Sequence, residues 1–275
     1  MKYLNNKYLH YLKEIIEVTR KPVVSVLPGH LSFFLLLSSI PIILIFGIIA
    51  STFSISFEKI ANFITSSLPA NTSKLIVPLF FSKASGFKII VLVISALFLA
   101  SRATKAIILT ANNIYEVKKN GISDFIKSVI ITFLIIMLFV FIVIIPILGG
   151  KILLLIDGKP EFSFISNNIL FLIEILRWPV SLIVVFFLIK FIYTLTPNKK
   201  IISKSVNKGT LFTTLSWLII TYIYSYYVTN YASYNNYYGS ASNLIILMLW
   251  IFIISKIFVI GMIINYIEDK KSQPL

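Results

Sequence analysis

Charged and amide side chains embedded in apolar stretches are the residues here whose types and spacing could do chemistry. Arg102, Lys105, Leu109, Asn112 and Asn113 step by three and four, so a helix gathers them into a polar stripe. A cation in hydrocarbon costs about 2.5–3.5 kcal/mol on insertion scales. Two readings of Arg102 and Lys105 are open. They line a path that attracts an anionic group such as a phosphate, or their long side chains snorkel to headgroups. Glu174 and Arg177, at i and i+3, pair on one helix, either as a structural ion pair at the outer interface or as part of such a path. Lys256 lies within a late apolar run and faces protein or water, unless it sits nearer the interface than the run suggests.

Enzyme chemistry finds no credible set of groups. The two histidines, His10 and His30, do not sit at i, i+4 with a glutamate between, and no His/Asp cluster has metal-ligand spacing. No Gly-rich phosphate loop and no GxSxG elbow is present. With no cysteine there is no disulfide, thiolate site or thiol nucleophile. The expectation is a protein that is not an enzyme and needs no metal or cofactor. His30, beside Gly29 at the membrane edge, reads as an interfacial histidine. The net charge of +15 invites a nucleic-acid reading. No finger spacing, RRM-type signature or soluble basic face supports it.

The elements that must position these residues are membrane helices. Fifty-eight per cent of the chain is hydrophobic and 13% charged, with mean hydropathy +0.93. A soluble fold of this size has too much surface to hide so much apolar area, whereas lipid removes that demand. The expected fold is an all-α membrane protein, a six-transmembrane-helix bundle with amphipathic interfacial helices, forming one polytopic domain over residues 1–275. The expected spans are about 31–51, 87–110, 129–148, 169–195, 211–230 and 244–266, each near the ~20 residues that cross ~30 Å of hydrocarbon. Residues 1–28 are expected to form an amphipathic cytoplasmic helix, with Tyr8, Tyr11, Leu12, Ile15 and Ile16 on its apolar face and no cleavable signal. Residues 52–86 read as an extracytoplasmic segment with short surface helices. Kinks are expected at Pro41, Pro146 and Pro179. The N-terminal stretch, 102–127, 190–208 and 270–271 together hold 17 of the 25 basic residues. The positive-inside rule then puts both termini in the cytoplasm.

Several local patterns, in this order, resemble the YihY/BrkB family of bacterial inner-membrane proteins. LSFFLLLSSIPIIL (31–44) resembles its aromatic-rich opening helix, with Ser38 and Pro41 in the Ser-x-x-Pro positions. SRATKAIILTANNIYEV (101–117) resembles its Ser-Arg segment, with Asn113 and Tyr115 in the later places. Trp178 and Pro179 in RWP, and Tyr193 and Pro197 in YTLTPN, resemble its fourth helix; Gly209 matches the glycine opening the fifth. Tyr238, Gly239, Ser240 and Trp250 match a late Tyr-Gly-Ser segment, and Gly261 and Asn265 the ending. The family commonly carries an acidic residue after that late glycine, where this chain has Ile263.

The resemblance implies six spans with cytoplasmic ends and leaves the activity open. Members have been labelled a ribonuclease of tRNA processing, which the missing catalytic residues argue against. Others are associated with serum resistance and envelope lipid export. The reading that follows is a transporter or flippase of an anionic envelope lipid or amphiphile, with membrane lipids as partners and no nucleic acid. The pathway candidates are Arg102, Lys105, Asn112, Asn113, Glu174, Arg177 and Lys256. The alternative is a non-transporting structural or assembly protein of the cell envelope, for which no cavity is expected.

Overall fold

The computed structural model describes residues 2–38, 86–118, 121–137, 179, 182–231 and 241–272. The described residues form helices α1 (Lys2–Arg20), α2 (Pro22–Ser38), α3 (Gly86–Ile114), α4 (121–137), α5 (Leu182–Leu195), α6 (Asn207–Tyr231) and α7 (Ala241–Ser272), with no strand among them.

The amphipathic pattern of the first 28 residues is not carried by one helix. The chain breaks at Lys21, and α1 and α2 meet at 79°. Pro22 causes the break. Its ring disfavours helical backbone at the residue before it, and Lys21 takes φ −54°, ψ 131° instead. Proline itself is well suited to the first helical position, so a new helix starts there. Apart from a turn at Val26, α2 then runs through Gly29 and His30 to Ser38. The helix therefore begins nine residues ahead of the expected first span, and Val24, Leu27 and Leu31 are buried.

Two described helices, Val93–Ile114 and Ile245–Ser272, are long and apolar enough to cross a membrane, or three if the bent α1–α2 pair counts as one span. The six-span count thus goes beyond what the described residues carry. The first, third and fourth expected spans fall partly outside them, as do the segment 52–86, Pro41 and Pro146. Large apolar side chains stand exposed on α3 (Ile90, Ile94, Phe98), α6 (Ile219, Ile223) and α7 (Leu249, Phe252). Such a surface suits lipid, which needs no polar cover.

α3 ends in a left-handed residue, Glu116, at φ 55°. The Val117 N–H bonds back to the Asn112 carbonyl at 2.9 Å, the six-to-one bond that closes a Schellman motif. Lys21 reaches Glu116 at 2.7 Å, so the α1–α2 joint is tied to the end of α3.

α6 and α7 make the most extensive helix pair, and their contact centres on Gly209 and Gly261. A Cβ on Gly209 would strike the Gly261 carbonyl and the Asn265 side chain. One on Gly261 would strike the hydroxyls of Thr213 and Tyr193. Membrane helices gain little from hydrophobic exclusion between them, so close backbone approach at small residues supplies much of the packing. α1 lies against the end of α7, where Lys271 pairs with Glu14 at 3.3 Å and sits 4.4 Å over the Tyr11 ring.

Candidate functional site

The polar stripe of α3 passes from exposed to buried along its length. Arg102 is exposed, its guanidinium 5.0 Å over the Phe98 ring. Lys105 is half-buried, with Nζ 5.7 Å over the ring of Phe125 in α4. Asn113 is half-buried, and Asn112 is only 1% exposed. The stripe goes under because α4 and the turn after α5 lie across it. The Asn112 Oδ1 accepts the Asn198 N–H at 2.8 Å. Lys256 is exposed on α7, and Pro179 is exposed. Glu174, Arg177, Trp178, Tyr238, Gly239 and Ser240 lie outside the described residues.

Asn198 belongs to a polar node that the spacing of the sequence does not announce. α5 stops ahead of Pro197, leaving its last carbonyls without intrahelical donors. Lys127, in the second turn of α4, supplies a donor just past that end. Its ammonium donates to the carbonyls of Thr196 (3.0 Å) and Pro197 (2.9 Å) and to Asn198 Oδ1 (2.9 Å). The Asn198 Nδ2 donates in turn to the fully buried Asp124 at 2.6 Å. Burial pushes the Lys127 ammonium below its ordinary pKa, and Asp124 works against that shift.

A second set joins the same turn to α7. Lys199 pairs with the buried Asp269 at 3.0 Å, and Lys208 pairs with Glu268 at 2.8 Å. The Gly209 N–H, in the first turn of α6, donates to Asn265 Oδ1 at 2.8 Å. That bond satisfies one donor that every helix start leaves open. Tyr193 donates its hydroxyl to the Phe258 carbonyl at 2.7 Å. Its one proton is then spent, so Thr213, 2.8 Å away, is the donor to the Tyr193 oxygen.

Residues singled out by motif thus pack the α5–α6–α7 core. Tyr193, Gly209, Gly261 and Asn265 touch one another there. Tyr115 is buried at the end of α3, edge-on to Tyr266 at 5.5 Å, and burial pushes its phenol up. Ser38 is buried and bonds to the Leu35 carbonyl at 3.1 Å; Pro197 is buried in the node; Trp250 stacks on Tyr224 at 5.2 Å. Ile263 is fully buried.

The other side of α3 borders a partly open cavity of about 270 Å³. Ala100, Ala103, Thr104 and Ile107 face it, with Leu31 and Leu35 of α2 and Trp217 and Phe258 of α6 and α7. A helix turns by about 100° per residue, which sets Arg102 and Lys105 on the face away from this group. Among the described residues no charged side chain lines the cavity. Among the described residues no three His, Asp or Glu side chains come together in a way that could hold a metal ion.

Comparison with known proteins gives two likenesses. The sequence profile of the family described as Virulence factor BrkB matches residues 15–274. A Bacillus subtilis (strain 168) protein named ribonuclease-like protein YfkH is 27% identical over 252 residues, covering 89% of this chain and 90% of its own length. No solved structure matches the chain.

Proposed function

The chain belongs to the virulence factor BrkB family, and from that premise we propose that it moves an anionic envelope lipid or amphiphile across the bacterial cytoplasmic membrane. It does so as a multi-pass protein with both termini in the cytoplasm. The contact between α1 and the end of α7 supports placing the two termini on one side.

One observation carries the reading. The two helices with the length and apolarity of spans each hold an exposed cation near mid-length, Arg102 in α3 and Lys256 in α7. Arg102 precedes the end of α3 by roughly 18 Å at 1.5 Å rise per residue, and Lys256 precedes Glu268 by the same. A cation so far from a helix end is too expensive to keep for snorkelling alone. An anionic headgroup reaching either cation would offset the cost, and Lys105, one turn below Arg102, extends the route on α3 as far as the point where α4 covers it.

The ribonuclease-like name belongs to the Bacillus subtilis relative. Among the described residues no nucleophile, base and orienting group come together for such chemistry. The assembly reading gives the two mid-span cations no task.

The test is lipid flipping in liposomes. Purified protein is reconstituted with a trace of headgroup-labelled anionic lipid, and label in the outer leaflet is quenched chemically. The wild-type chain should expose the inner leaflet's share to the quencher, and Arg102→Ala and Lys256→Ala should each slow that exposure about tenfold, the effect of 1.4 kcal/mol on a barrier. Equal protection in protein-free, wild-type and variant vesicles would sink the proposal.

A further inference from the structure

The apolar cavity beside α3 takes no part in that cationic route, which runs along the opposite face of the helix. Of the polar groups at its wall, all but the Ser255 hydroxyl are bonded elsewhere. Thr104 and Thr132 sit 2.6 Å apart, hydroxyl to hydroxyl, and the Trp217 N–H donates to the Ile254 carbonyl at 2.9 Å. A water inside would find at most one partner among the described residues, the Ser255 hydroxyl, short of the two to four it needs, so the space stays dry. Apolar cavities on the order of 150 Å³ take up benzene or xenon. This one, at about 270 Å³, is larger.

We propose that the cavity binds one hydrocarbon chain, the acyl tail of a lipid or fatty acid drawn from the bilayer. Position argues for that occupant. Ala100 to Ile107 lie at the middle of α3, and Ser255 and Phe258 at the middle of α7, so the cavity stands at the level of the hydrocarbon core. Its partial opening admits a chain without a headgroup, and no charged side chain among the described residues of the wall would hold one. Ala100 and Ala103 make the room: a larger side chain at either position would fill it. The inference does not require transport, because a chain can sit there in a protein that moves no lipid.

Trp217 at the wall is a built-in reporter. In a chain carrying Trp178→Phe and Trp250→Phe it is the single tryptophan left. That protein, in detergent, is titrated with a fatty acid brominated at mid-chain, whose bromines quench indole emission on contact. The expected result is saturable quenching with one chain per protein, reversed by excess unbrominated fatty acid and lost on Ala103→Phe. Quenching that grows linearly, resists competition and is equal in Ala103→Phe would overturn the proposal. The competition step needs no cavity variant, so it decides the matter even if Ala103→Phe fails to fold. Flipping measured on the same proteins separates the two proposals. Chain binding with no flipping sinks only the transport reading, and flipping without saturable quenching sinks only this one.

Discussion

Gly261→Ala tests the packing logic of the bundle most directly. The added methyl has nowhere to go, because its position is taken by the hydroxyls of Thr213 and Tyr193, with the Gly209 carbonyl 2.9 Å away. Overpacking a tight core typically costs about 1–3 kcal/mol. If Tyr193 yields by rotating, it also abandons its bonds to the Phe258 carbonyl and Thr213, and a buried polar group left unpaired costs a further ~1–3 kcal/mol. The expected loss is therefore roughly 1–3 kcal/mol if Tyr193 holds and up to about 6 kcal/mol if it yields, to be read from reversible unfolding in mixed SDS micelles. Thr213→Ala supplies the internal control. Alone it should cost about 0.5–1.5 kcal/mol, since Tyr193 loses a donor. Combined with Gly261→Ala it should restore part of the stability, because it removes an atom the methyl strikes. The double-mutant cycle must then show favourable coupling of at least ~0.5 kcal/mol. Wild-type stability in Gly261→Ala, or a Thr213→Ala cost independent of residue 261, would refute the close-approach argument.

Other perturbations follow from the same geometry. Lys127→Met removes the donor to two carbonyls and the Asn198 amide, and should lower stability by roughly 2–4 kcal/mol in the same unfolding assay. Glu116→Gly relieves a left-handed backbone that costs a residue with a Cβ about 1–2 kcal/mol, and loses an exposed ion pair worth about 0.2–1 kcal/mol. It should be neutral or stabilising, whereas Glu116→Ala, which keeps the strain and loses the pair, should destabilise. The Lys21–Glu116 pair also predicts a pH window. The hydrogen bond to Lys21 holds the Glu116 carboxyl below its ordinary 4.5, so its contribution is complete above that value and is lost as pH falls through the lowered one. The same bond raises Lys21 above 10.5, so its contribution is complete below that value and is lost as pH climbs past the raised one. The stability difference between wild type and Lys21→Ala should accordingly be flat between the two ordinary values and vanish at the acid end; a difference that persists in strong acid would mean the contact is not electrostatic.

The helical class of the chain, its membrane setting and its family were legible in the order of residues. Hydropathy sums over neighbours, and α3 and α7 are long apolar runs whose register survives any packing. The motif residues Tyr193, Gly209, Gly261 and Asn265 were legible as important, but not as one contact, since up to 72 residues separate them along the chain. Pro22 was visible too. The amphipathic period continues across it, and periodicity by itself does not register that proline redirects the backbone of Lys21.

Packing decided the rest. Arg102 and Asn112 belong to one stripe by spacing, yet one is exposed and the other is 1% exposed. The difference comes from α4 and the turn after α5 lying over the lower half of α3. The node of Asp124, Lys127 and Asn198, and the pairing of Lys199 with Asp269, join residues about 70 apart. No local pattern specifies such partners, because a lone aspartate or lysine at a helix end reads as solvated until another helix takes the solvent away. The cavity is likewise a property of six helices together, made where small side chains of α3 meet larger ones that do not reach them. Composition determined which solvent this chain must live in. Which charges that solvent can reach was decided only when the helices closed on one another.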